Sequence, residues 1–178
     1  MKYFLGVCLI QLVGIAAFSQ QYKATDEGSS IKFRIKNFGI ETGGFFTGLD
    51  GKISFDPSDV SKDSFDLSVD ANTINTDNNM RDNHLRNEDY FDVRKYPRLR
   101  FVSTSVTVDR NAHFTVTGKL TIKNTTKEVS IPFTATPKDS GYIFTGEFKL
   151  NRKDFQVGGS STISNNLTVN FSVFARKQ

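Results

Sequence analysis

The sequence predicts an all-β fold, an eight-stranded antiparallel up-and-down barrel with a short helical insertion between strands three and four. Three observations predict it. Apolar and polar residues alternate with a period of two in eight separate runs. Only one face of each run is apolar, whereas a parallel sheet buried on both sides would show continuous apolar stretches. The connections between the later runs are short, which favours antiparallel neighbours. Such strands form a sandwich or close into a barrel, and closure removes exposed edges and leaves an interior that side chains fill or that holds one small ligand.

The first run, Ile31 to Lys36, is apolar at odd and basic at even positions. The second, Phe45 to Phe55, sets Phe45, Leu49, Ile53 and Phe55 on one face against Asp50, Lys52 and Ser54. The third places Phe65, Leu67, Val69 and Ala71 opposite Asp66, Ser68 and Asp70. The fourth, Leu99 to Val108, slips around Val102 as a bulge would cause. In the fifth, Phe114, Val116, Leu120 and Ile122 face inward, and Lys123-Asn124-Thr125 turns the chain into the sixth, Val129 to Ala135. The seventh carries Tyr142, Phe144, Phe148 and Leu150, and the eighth Leu167, Val169, Phe171 and Val173.

Residues 75–97 do not alternate. Asp77 is the expected N-cap of one or two short helices whose apolar stripe is Met80, Leu85 and Phe91. Pro97 stops any helix before strand four. Gly43-Gly44 and Gly158-Gly159 punctuate the remainder.

The N-terminus reads as an export signal. Lys2 is its positive start, Tyr3 to Phe18 its short apolar stretch, and Ala17-Phe18-Ser19 its small-x-small cleavage pattern. The expected division is therefore a signal peptide over 1–19 and a mature barrel domain over 20–178, placed in the periplasm or secreted. The apolar stretch is short for a membrane span of about 20 residues. A Leu5-Gly6-Val7-Cys8 lipobox would leave too little apolar helix before the cysteine. Cys8 is the single cysteine, so the mature chain has none, which excludes disulfides, a thiolate nucleophile and a zinc–sulfur site.

Without Lys2, 22 basic residues stand against 19 acidic, a net charge of +3. The basic residues alternate along strands instead of clustering, and export argues against a nucleic-acid partner. Of the 17 Phe, 15 remain in the mature part, with no Trp and Met80 as the sole Met. Phe adds large rigid apolar area with no polar group needing a partner, so the interior is dry.

Several motifs, in order, carry a resemblance. They are Ile31-x-Phe33 with Asn37-x-Gly39, Gly44-Phe45-Phe46-x-Gly48-x-x-Gly51-x-Ile53-x-Phe55-Asp56-Pro57, and Ile74-x-Thr76. Next come Arg81-Asp82-x-His84-Leu85-Arg86-x-x-Asp89-Tyr90-Phe91-Asp92, then Tyr96-Pro97, Phe101-x-Ser103 and Gly118-x-Leu120-Thr121-Ile122. Thr126-Lys127 and Asn151-Arg152-x-Asp154-Phe155 complete the set. On these residues the chain resembles the YceI-like family of lipocalin-like exported proteins. Asn87, Tyr90 and Asn124 depart from residues common there, and Asn124 tolerates the left-handed turn that a Gly would take. The resemblance implies a long apolar pore for a polyisoprenoid chain, such as a quinone tail or a prenyl phosphate. It implies no catalytic reaction.

Candidate lumen residues are Phe33, Phe45, Phe55, Met80, Leu85, Phe91, Phe101, Leu120, Phe133, Phe144 and Phe148. A polyprenyl chain is nearly featureless, so enclosure binds it; the same residues could equally fill the barrel as a packed core. Arg81, His84 and Arg86 are head-group candidates, because guanidinium groups match phosphate oxygens. They could instead fix the insertion through Asp82, Asp89 or Asp92. Arg152 and Asp154 are expected to pair structurally. With His84 and His113 the only histidines and no G-x-S-x-G elbow, the residues build neither a multi-His metal site nor a hydrolase site.

The expected function is therefore a carrier or reservoir for an isoprenoid lipid, with no cofactor beyond such a lipid and no enzymatic step. The alternatives are an exported stress or interaction protein with a self-filled barrel and, third, a small-molecule isomerase or hydrolase on the same barrel. The pattern permits a homodimer and transient membrane contact and requires neither.

Overall fold

The computed structural model describes residues 20–160 and 162–178; the expected signal peptide over 1–19 lies outside the described residues. Among the described residues ten strands run β1 Gln20–Thr25, β2 Ser30–Asn37, β3 Ile40–Phe46, β4 Asp50–Phe55, β5 Ser64–Asp70, β6 Arg98–Val108, β7 Phe114–Ile122, β8 Thr125–Lys138, β9 Gly141–Asn151 and β10 Ile163–Lys177. An α-helix, α1 Asn79–Arg86, lies between β5 and β6, after a short 3-10 turn over Ala71–Thr73. All pairings are antiparallel, and β10 meets both β1 and β2, which closes the sheet.

The ten strands make an eight-stranded barrel because the first two barrel strands are each broken once. β1 and β2 are the halves of one, β3 and β4 of the next; β1 pairs with β4 and β2 with β3. The breaks lie side by side and one carboxylate holds them. Asp26 accepts hydrogen bonds from the Gly48 and Leu49 amides, both at 2.8 Å, in place of ladder bonds. Gly48 takes φ +70°, and Arg98 donates to its carbonyl at 2.8 Å.

The break resets the alternation. Phe46, not Phe45, faces the interior, where its ring lies 5.8 Å from that of Phe33. Phe45 stands on the outer face, bridged to Asn75. Continuing period two across Thr47-Gly48 placed it on the wrong side. β1 itself, Gln-Gln-Tyr-Lys-Ala-Thr, has too little apolar content to read as a strand; ladders on both edges hold it. The expected slip in strand four is present, two residues on, between Ser103 and Ser105. There the Ser103 hydroxyl accepts from the Phe65 amide at 2.8 Å.

α1 is capped by Asn78, whose side-chain oxygen accepts from the Arg81 amide at 2.9 Å; Asp77, the expected cap, takes φ +58° just before it. The helix ends at Asn87, well before Pro97. Leu85 and Phe91 pack inward with Tyr90, Phe155 and Val157. Met80 is 84% exposed. Five positions at about 100° each put Met80 roughly 140° around the helix from Leu85, so one stripe cannot hold both.

Among the described residues, hydrogen bonds and no ion pair fix the insertion to the barrel. Buried Asp82 accepts from the Thr76 amide at 2.9 Å and from its hydroxyl at 2.5 Å. Arg86 donates to the carbonyls of Asn72 at 2.8 Å and Ile74 at 2.9 Å. On the far side, the Gly158 amide donates to the Asp89 carbonyl at 2.8 Å, joining the insertion to the loop before β10.

Candidate functional site: a blind apolar lumen

The interior divides into two halves. Toward the β1–β4 end, aromatic rings fill it. Phe55 lies edge-on to Phe114, Tyr142 and Phe144 with centroids 5.3, 5.2 and 5.1 Å away. Phe114 stacks on Phe133 at 5.2 Å, and Tyr22 meets Tyr142 edge-on at 5.5 Å. Such contacts add about 0.5–1.5 kcal/mol per pair beyond area burial, so this half is sealed by packing.

Beneath the cluster lies an almost wholly apolar cavity of about 280 Å³. That is near the lower end of the about 300–1,000 Å³ common for small-molecule sites. Phe65, Phe133 and Phe144 form its floor; Phe33, Phe101, Leu120 and Phe148 stand in its walls, and Leu85 and Phe91 reach it from the insertion. Phe55 is 1% exposed and lies within the seal, behind the floor. Three expected lumen residues thus lie elsewhere: Phe45 outside, Met80 in solvent and Phe55 in the packed half.

Glycines in the wall leave room for rings to lie flat against it, Gly44 beside Phe33 among them. Phe171 pairs across strands with Gly146, where an added Cβ would come within 2.6 Å of its ring and 2.3 Å of the Pro132 carbonyl oxygen. Phe101 crosses Gly118 in the same way, 2.6 Å from where a Cβ would stand. Elsewhere the same rings would project into the bore. Phe46, Phe65 and Phe171 also line the lumen, beyond the expected set; Gly118 and Gly146 fall on the inward parity between large apolar neighbours, the one sequence signal that marks them.

Among the polar members of the lining, Asn37, Thr42, Thr76, Arg81 and Arg152 lie toward the end away from the seal, while Lys32, Ser68 and Arg100 border the cavity along its wall. Arg81 donates from Nε to the Thr76 hydroxyl at 2.7 Å and from Nη2 to the Thr76 carbonyl at 2.6 Å, so a guanidinium is held at the lumen edge. His84 and Arg86 do not join it in the lining. His84 is exposed with its ring 4.8 Å from that of Tyr90, and the guanidinium of Arg86 is engaged by backbone.

Arg152 is 6% exposed. Its partners are backbone carbonyls in place of the expected Asp154: Val157 at 2.8 Å, Ser164 at 3.0 Å, Gly158 at 3.1 Å and Ile163 at 3.2 Å. One guanidinium thereby ties down the loop that leads into β10. This role had no local sequence signal, since its acceptors are peptide groups.

Behind the sealed end lies one buried charge. Asp63 Oδ1 accepts from the Asp56 amide at 2.8 Å, while Oδ2 is buried without a hydrogen-bond partner among the described residues. Burial, with Asp56 and Asp59 adding repulsion, pushes its carboxyl up to about 6. Among the described residues no cluster of His, Cys, Asp and Glu is placed to hold a metal ion, and no helix is long and apolar enough to cross a membrane.

Comparison with known proteins follows the same outline. A UPF0312 protein of Shewanella denitrificans is 30% identical over 86% of this chain and 84% of its own length. A UPF0312 protein of Yersinia enterocolitica is 32% identical over 88% and 86%. Among solved structures, BcnA of Burkholderia cenocepacia superposes with a TM-score of 0.80 at 25% identity, covering 84% of this chain and 98% of that one. A polyisoprenoid binding domain from Saccharophagus degradans, implicated in plant cell wall breakdown, shares the fold with a TM-score of 0.69 at 15% identity, over 91% and 100%. A family model described as the YceI-like domain matches residues 22–175, nearly the whole closed barrel, and the chain belongs to that family.

Proposed function

We propose that this barrel is a binding protein, not an enzyme, and that it holds the tail of one isoprenoid lipid of quinone or prenyl phosphate type in its lumen as an extracytoplasmic carrier or reservoir. The observation that carries the reading is the cavity of about 280 Å³, almost wholly apolar above its aromatic floor, with Thr76, Arg81 and Arg152 at the end away from the seal. An extended hydrocarbon needs such a bore, because its binding scales with apolar area removed from water at about 25 cal/mol per Å². Arg81 then stands where a carbonyl or phosphate head would sit. The polyisoprenoid-binding neighbour of the same fold supports the class of guest, and the short apolar N-terminal segment supports export. The self-filled alternative accounts for the half sealed around Phe55; it does not account for the open half.

The test is organic extraction of the purified chain followed by mass spectrometry. The expected result is about one isoprenoid lipid per chain, reduced in Leu120→Trp, which places an indole in the bore. A folded protein that carries no such lipid, and takes none up from detergent, would sink the reading.

A further inference from the structure

The β2–β3 hairpin turns through Phe38 and Gly39, at φ of 50° and 80°. Tight turns of this hand favour Asn-Gly or Asp-Gly, and a bulky residue at positive φ is uncommon. Yet Phe38 is 77% exposed and Ile40 is 73% exposed. The tip thus carries two large apolar side chains in a conformation that costs Phe38 energy, and neither is buried in return.

The position of this tip is specific. Ile35, Asn37 and Thr42 in the hairpin stem line the polar end of the lumen. The Asn37 side-chain oxygen accepts from the Thr162 hydroxyl at 2.9 Å, tying the stem to the loop that Arg152 orders. Phe38 and Ile40 therefore project beside the mouth of the bore. Along the outer face of β2, Lys32, Arg34 and Lys36 form an exposed basic row that runs up to the tip. Arg34 is shared with Glu147 at 3.3 Å and Glu41 at 3.9 Å; Lys32 and Lys36 enter no ion pair among the described residues.

An apolar tip fed by a basic row is the composition of an interfacial anchor, in which apolar groups enter the head-group boundary and cations meet anionic lipid. A contact between proteins fits less well. Phe38 and Ile40 together offer roughly 300 Å² of apolar surface, well below the about 800 Å² per partner of a stable protein interface.

We propose that the β2–β3 hairpin docks the barrel on an anionic bilayer by inserting Phe38 and Ile40, which sets the lumen mouth at the lipid surface. The docking stands on the hairpin alone; its purpose, loading and unloading the lumen, rests on the carrier reading above.

The chain contains no Trp, so Phe38→Trp supplies a single fluorescent reporter at the tip. Its emission shifts to the blue on addition of vesicles of phosphatidylethanolamine and phosphatidylglycerol. In sedimentation with the same vesicles, Phe38→Asn combined with Ile40→Thr lowers the affinity at least ~tenfold, and raised salt weakens wild-type binding. Both substitutions are at exposed positions, so the double variant keeps its fold by circular dichroism.

Equal binding by wild type and double variant, or none by the wild type, overturns the proposal. A wild-type dimer that the double variant dissociates, without vesicle binding, overturns it in favour of a contact between copies. Uptake of a polyprenyl alcohol from detergent is measured on both proteins in parallel. Its absence from both sinks the carrier reading alone, while vesicle binding still decides the docking.

Discussion

Replacing Asp63 by Asn isolates the one buried carboxylate oxygen that has no partner among the described residues. The folded protein holds this carboxyl at about 6 against an ordinary value of 3.8. The folded state therefore binds a proton more tightly than the unfolded chain, and Asp63 is most favourable to stability below pH 4. That contribution is lost as pH rises from about 4 through 6, and the penalty is constant above. Two units at 1.36 kcal/mol each set a ceiling of about 3 kcal/mol, and partial solvent screening leaves about 1–3. Asn keeps an oxygen to accept the Asp56 amide and removes the charge. Denaturant titrations followed by circular dichroism, at a series of pH values from 4 to 8, are the assay. The difference between variant and wild type cancels titrating groups that do not interact with Asp63; Asp56 and Asp59, which do, titrate at or below the acid end of the range. At pH 8 the variant is expected to be more stable by about 1–3 kcal/mol, and the gap closes toward pH 4. Parallel curves across that range would refute the argument, because they would mean that Asp63 titrates alike in both states.

Two further substitutions test the architecture. Arg152→Gln strands several buried carbonyls and is expected to cost about 3 kcal/mol or more, with faster amide exchange confined first to residues 156–164; a midpoint unchanged in urea would count against that role. Gly146→Ala places a Cβ 2.3 Å from the Pro132 carbonyl oxygen and 2.6 Å from the Phe171 ring. It should cost about 2 kcal/mol or more by the same assay, and a neutral result would mean that strand and ring yield easily.

The closed sheet was legible because a barrel wall has one wet and one dry face, and period two records that difference residue by residue. The inward sets of β5 and β7 to β10 follow from parity alone. Parity fails where a distant group acts on the backbone. The Asp26 carboxylate that grips Gly48 and Leu49 lies more than twenty positions away, so nothing around Phe45 announces that its side has changed. Helix phase was misread for a local reason: Met80 and Leu85 are both apolar, but their spacing of five matches neither three nor four. For Arg81, His84 and Arg86 the motif marked the region correctly and could not rank its members. Their roles depend on which carbonyls of residues 72–76 come within reach, and only Arg81 is left on the lumen wall.

The seal around Phe55 also imposes an order of events. A bore stoppered at one end works as a stack, not a pipe: whatever part of an extended guest enters first must leave last. No guest can be threaded through, and none can be displaced by another arriving from behind. On the carrier reading proposed above, the far tip of a chain would rest against Phe65, Phe133 and Phe144 whatever its identity. Every additional unit of length must then appear at the mouth. The depth of the blind bore thus measures a guest from its tail, and a wall without distinguishing chemistry can still discriminate by how much is left outside.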